Sequence, residues 1–79
     1  MGVTAMDSKQ PRNTEIKDQR GADILEYDLL FNPCFGDIWV VAENEEHVWT
    51  AILTHDGLSE DLENVGQSFI KCGSVWGIA

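Results

Sequence analysis

Residues 37–54, DIWVVAENEEHVWTAILT, constrain the fold more than any other part of the chain. Two runs rich in Val, Ile, Trp and Thr, residues 38–42 and 48–53, flank a polar link at 43–46. β-branched and aromatic runs of this length around a short polar link read as a β-hairpin. A link of that length sets Ala42 opposite His47, Val40 opposite Trp49 and Ile38 opposite Ala51, so that one face carries an almost unbroken apolar strip. Such a strip needs a second layer to cover it.

The segments on either side supply candidates. In residues 24–31, ILEYDLLF, the alternation of Leu25, Tyr27, Leu29 and Phe31 favours a strand, because a helix begun at Ile24 would set Asp28 on its apolar face. Pro33 ends that strand and Gly36 lets the chain turn into the hairpin, which makes a three-strand antiparallel meander. Beyond the hairpin, Ser59 is suited to cap a helix. Glu60, Asp61 and Glu63 crowd its first turn, Lys71 sits in its last, and Gly73 fits the position after its end. Leu62, Val65, Phe69 and Cys72 recur at helical spacing and would cover the strip. Gly66 leaves a second reading open, in which the helix stops there and residues 67–72 form a strand. Residues 74–79, with Val75, Trp76 and Ile78, are apolar enough to dock as a fourth strand. The expected fold is therefore α+β, a small antiparallel sheet covered on one face by one C-terminal helix.

With 79 residues the chain has room for one domain and one modest core. Residues 1–22 are polar, contain Pro11 and Gly21 and show no sustained apolar period, so they read as a flexible arm ahead of a single domain at 23–79. A helical turn over residues 14–20 would have only Ile16 to bury. The two cysteines, Cys34 and Cys72, follow no apolar leader and read as reduced, buried and cytoplasmic. No apolar run reaches the roughly 18 residues of a membrane span.

Charge is the most informative quantity. Residues 1–22 hold four cations against three carboxylates, net +1, whereas residues 23–79 hold eleven carboxylates against Lys71 alone, net −10. Self-repulsion on that scale disfavours the compact state. Surface ion pairs within 23–79 cannot offset it, so most of the carboxylates must face solvent or a partner.

Groups capable of chemistry are sparse. His47 and His55 lie eight residues apart, about 26 Å along a strand and too far to share a metal. Cys34 lacks any local signature of a thiol nucleophile. The acidic runs lack the ligand alternation and central Gly of a calcium loop. The expectation is a protein that is not an enzyme and binds no metal or cofactor. Trp39, Trp49 and Trp76 read as core or half-core residues.

Two features remain. Glu26 and Asp28, two apart on a strand, stand about 6–7 Å from each other, comparable with adjacent phosphates. Glu43, Glu45 and Glu46 mark the hairpin tip, and Glu60, Asp61 and Glu63 the helix start. These eight carboxylates are the candidate partner-binding residues. The other feature is the far face of the hairpin, around Trp39 and Val41, which a single helix would leave open for a homodimer or an adaptor contact.

A short, strongly acidic α+β chain without catalytic motifs resembles, in composition, the small phage-encoded inhibitors of host defence, the anti-CRISPR and anti-restriction proteins. The resemblance implies stoichiometric blocking of a basic nucleic-acid-binding surface on a partner complex by a DNA mimic, with no binding of nucleic acid by the chain itself.

Overall fold

The computed structural model describes residues 10–75. They form seven strands, β1 (Asn13–Lys17), β2 (Asp23–Leu25), β3 (Asp28–Asn32), β4 (Asp37–Glu43), β5 (Trp49–Leu53), β6 (Ser59–Asp61) and β7 (Ile70–Ser74). One helical turn, α1 (Leu62–Val65), runs into a 3₁₀ turn (Gly66–Ser68). Five strands make a sheet in the order β6-β5-β4-β3-β7, and β1 and β2 pair as a separate ribbon. The α+β expectation is corrected: 50% of the described residues are strand and 11% helical, so the fold is mostly β and no long helix covers the sheet. β1 lies within residues 1–22, where an arm is expected, and its pairing with β2 brings that stretch into the fold. Residues 1–9 of the expected arm and 76–79 of the expected last strand lie outside the described residues.

The central hairpin forms, in a different register. Asn44 accepts hydrogen bonds on its side-chain oxygen from the N–H groups of Glu46 (2.8 Å) and Val48 (3.0 Å), and its own N–H donates to the Val48 carbonyl. His47 completes the loop with a left-handed backbone, φ 64°. The loop therefore runs to Val48, and Glu43 faces Trp49, Ala42 faces Thr50 and Val41 faces Ala51. An odd shift exchanges the faces of one strand relative to the other, because side chains alternate with period two. Trp39, Val41, Ala51 and Leu53 share the buried face with Leu30 of β3. The expectation of an open face around Trp39 and Val41 is thus reversed: both are core.

Residues 24–31 are two strands rather than one. Tyr27, at φ 68°, turns the chain back; its N–H donates to the Val41 carbonyl, and the buried Asp28 carboxylate accepts from the Leu25 N–H at 2.7 Å. The ribbon β1–β2 is thereby folded over the sheet. Ile24, Leu62 and Phe69 close the core from that side, and Phe69 packs on Trp39 with ring centroids 5.3 Å apart.

The expected helix is replaced at both ends. Ser59, Glu60 and Asp61 pair with β5 instead of capping, and Asp61 precedes α1 without a side-chain cap bond. Helicity ends at Ser68, and β7 pairs with β3, close to the alternative that stops the helix at Gly66. Gly66 is buried where the ribbon crosses: a Cβ there would stand 3.0 Å from Ile16 Cγ2 and 3.3 Å from Ile24 Cδ1. Cys34 and Cys72 are free thiols at the surface, not buried.

The buried Asp18 carboxylate locks the ribbon to the sheet. It accepts from the N–H groups of Arg20, Ala22 and Lys71, each at 2.8 Å, and so ties the β1–β2 turn to β7. Burial pushes its carboxyl upward, but these three donors outweigh burial and hold it below its ordinary 3.8.

Two outcomes follow from this arrangement. Gly66→Leu drives a large side chain into the space held by Ile16 and Ile24 and lowers unfolding stability by about 1–3 kcal/mol, the usual cost of an overpacked core, measured by urea denaturation. Asp18, with a depressed folded-state value, contributes stability that is complete above the unfolded Asp range and is lost as pH falls through the folded value. Asp18→Asn removes that share, so its stability profile below pH 4 is shallower than the parent's and its neutral-pH stability is lower by about 1–3 kcal/mol, as expected when buried donors lose a partner.

Candidate interaction surface

The loop between β4 and β5 and the edge strand β6 carry four of the eight candidate carboxylates, Glu45, Glu46, Glu60 and Asp61. Thr50 lies between Ala42 and Asp61 in adjacent strands, and Trp49 faces Glu43. Asp61 and Glu43 are therefore close to the same level of the sheet, about 9–10 Å apart across β5 at the usual strand spacing. Glu45 and Glu46 project beyond them in the exposed loop. Glu60 and Asp61 are exposed on β6, and Glu63 follows in the first turn of α1.

Glu26 and Asp28 are placed otherwise. Glu26 sits in the β2–β3 turn, not on a strand with Asp28, and its side chain is 11% exposed. It accepts three hydrogen bonds from Arg12, from Nε at 3.2 Å, Nη2 at 2.8 Å and the backbone N–H at 3.3 Å. Asp28 is 2% exposed and meets Lys71 Nζ at 3.2 Å. Both carboxylates are used inside the fold, and the expected phosphate-like pair on one strand is absent.

Arg12 is the organising cation at this end. The same Nη2 reaches Glu43 at 3.0 Å, and the guanidinium lies over the Trp49 ring, 4.9 Å from its centroid. A planar fork that grips one carboxylate with two nitrogens, touches a second and stacks on an indole is a task for arginine rather than lysine. His47 Nδ1 stands 3.6 Å from the other oxygen of Glu43. The hydrogen bonds from Arg12 hold the Glu26 carboxyl below its ordinary 4.5 against the opposing effect of burial. Lys17 likewise pairs with Asp23, its cross-strand neighbour in the ribbon, and holds that carboxyl low.

Among the described residues, Arg12, Lys17 and Lys71 are thus engaged by internal carboxylates, whereas Glu45, Glu46, Glu60, Asp61 and Glu63 form no ion pair. The histidines do not assemble a site: His47 is in the β4–β5 loop and His55 in the turn after β5. No group of three His, Cys, Asp or Glu side chains among the described residues is arranged to hold a metal ion. Nor is any described helix long and apolar enough to cross a membrane. Reading Arg12 as part of an arm missed its role; its spacing from Glu26 and Glu43 carries no local pattern.

Replacing Arg12 by Ala removes the side-chain donors that hold Glu26 low while leaving its burial and the backbone N–H of position 12 in place, so the Glu26 carboxyl titrates higher than in the parent, as read by NMR of its side-chain carbonyl. No protein-family model matches the chain, and no curated protein matches it as a relative.

Proposed function

We infer that the protein is a non-enzymatic, stoichiometric binder of a basic protein surface of the kind that holds nucleic acid, and that it competes for that surface with carboxylates. One observation carries this reading: the chain's described cations, apart from the exposed Arg20, are consumed by internal pairs, and five acidic side chains on the β4–β5 loop, β6 and α1 are left without a cation. A nucleic-acid-binding surface gathers lysines and arginines to neutralise phosphates, and a rigid set of carboxylates meets the same groups. The rigidity comes from the sheet pairing of β6 and from the Asn44 turn under Glu46. Glu43 belongs to the interface through its exposed flank, while Glu26 and Asp28 support it from beneath. The compositional resemblance to anti-CRISPR and anti-restriction inhibitors points in the same direction, toward blocking of a host complex in the cytoplasm.

The reading is tested with the intact chain as bait in bacterial lysate at about 50 mM and about 500 mM salt, conditions that differ severalfold in screening length. The expected result is a nucleic-acid-binding protein retained at low salt, released at high salt and displaced by added duplex DNA. The combined change Glu45→Lys, Glu46→Lys and Asp61→Lys abolishes capture. Retention that is indifferent to salt, or that survives the charge reversal, overturns the reading.

A further inference from the structure

The two most exposed large apolar side chains of the described residues, Phe35 at 80% and Leu58 at 53%, converge on one place. They wall an apolar groove of about 390 Å³ whose floor includes Trp39 and Phe69. The groove opens at the Asn32–Asp37 end of the sheet, away from the Arg12 cluster. Asp37 and Glu60 stand on its rim, and neither is in an ion pair among the described residues. Trp39 is 5% exposed, and its indole Nε1–H is buried with no acceptor among the described residues. Buried donors are rarely left unmatched, and each exception asks for an explanation.

We propose that this groove docks a short segment of a partner protein that inserts one apolar side chain, aliphatic or aromatic, beside a lysine or arginine. The apolar side chain covers Phe35 and Leu58 and sits over Phe69, and the neighbouring cation meets Asp37 and Glu60. A carbonyl carried in with the segment, as Phe35 and Leu58 part, supplies the acceptor that the Trp39 N–H lacks. The volume lies at the low end of the roughly 300–1,000 Å³ of ligand pockets, which fits one large side chain and its neighbours rather than an extended cofactor. Two other occupants fit less well. A second copy carries the same net charge of −9 and would set carboxylates against the acidic rim. The chain's own ends begin from the opposite end of the sheet, where Arg12 meets Glu26 and the Val75 N–H donates to the Tyr27 carbonyl. This inference does not rest on the acidic loop, and Glu45 and Glu46 take no part in it.

The test pans a phage-displayed library of short random peptides against the full chain, then measures one enriched peptide by titration. Enriched sequences are expected to place Leu, Ile, Phe or Trp next to Lys or Arg, and the bound peptide shifts the Trp39 indole N–H resonance. Leu58→Ser, an exposed change that leaves the circular dichroism spectrum intact, weakens binding by about tenfold or more, and Phe35→Ser and Asp37→Asn weaken it as well. Glu45→Lys with Glu46→Lys leaves peptide affinity within about twofold, which separates this outcome from failure of the acidic-surface reading. No enrichment, enriched peptides without a cation, or undiminished binding by Leu58→Ser overturns the proposal. So does a Trp39 resonance that depends on protein concentration, which would identify a second copy, or one that shifts on removal of residues 1–9 or 76–79, which would identify the chain's own ends.

Discussion

The register of the β4–β5 hairpin decides which residues are core, and it is fixed by one side chain, Asn44. Its amide oxygen takes the N–H groups of Glu46 and Val48, lengthens the loop and moves the first paired residue to Trp49. Everything packed on the sheet follows. Trp39, Val41, Ala51 and Leu53 turn toward the ribbon and α1, and Ile38, Val40, Ala42 and Ile52 turn away from them as half-buried side chains on the other face. A loop one residue shorter would change that parity and set Trp39 and Val41 on the opposite face from Ala51 and Leu53.

A core this small stays closed because its cover is held by charge as well as by apolar contact. The ribbon presents Ile16 and Ile24 to Leu62 and Gly66 and few other apolar side chains, yet the same stretch carries Arg12, Lys17 and the buried Asp18. Asp18 accepts from the Lys71 N–H, Arg12 grips Glu26 and Glu43, and Lys71 reaches Asp28. Buried or half-buried carboxylates are tolerated when each has a donor, and costly when the donor is removed. The +1 segment at 1–22 and the −10 segment at 23–79 are therefore not an arm and a body: Arg12 and Lys17 of the first are structural counter-charges for the second.

What could be read in advance was local. The apolar runs of β4 and β5 and the turn at Pro33 and Gly36 are set by residues within a few positions of one another, whereas the break at Gly66 is legible only as the second of two readings, beside a continuous helix. What escaped was set at a distance or by competition between two good local choices. Residues 24–31 alternate well enough for a single strand, but the buried Asp28 and the left-handed Tyr27 close a turn in their middle. Ser59, Glu60 and Asp61 have the composition of a helix start, but the free edge of β5 offers them three cross-strand partners. Leu62, Val65 and Phe69 do face the core, although only Leu62 and Val65 do so from a helix, whereas Cys72, the fourth of the series, is exposed on β7. Of the eight carboxylates expected on the surface, Glu26 and Asp28 are internal because Arg12 and Lys71 reach them from 14 and 43 residues away in sequence, a pairing without a local signature.

The acidity of β6 has a structural explanation that does not extend to the β4–β5 loop. A three-residue edge strand with Glu60 and Asp61 exposed is the usual device against pairing with another chain, since short, charged edges resist strand addition. Glu45 and Glu46 protect no edge, because β4 and β5 are paired on both sides, and their loop is already closed by Asn44 without them. His47 and Arg12 both turn to Glu43 instead. Two adjacent carboxylates at an exposed loop tip repel one another, and neither is in an ion pair among the described residues. Their charge is therefore directed outward, which is why the loop tip, more than the acidic composition as a whole, carries the proposal of a basic partner.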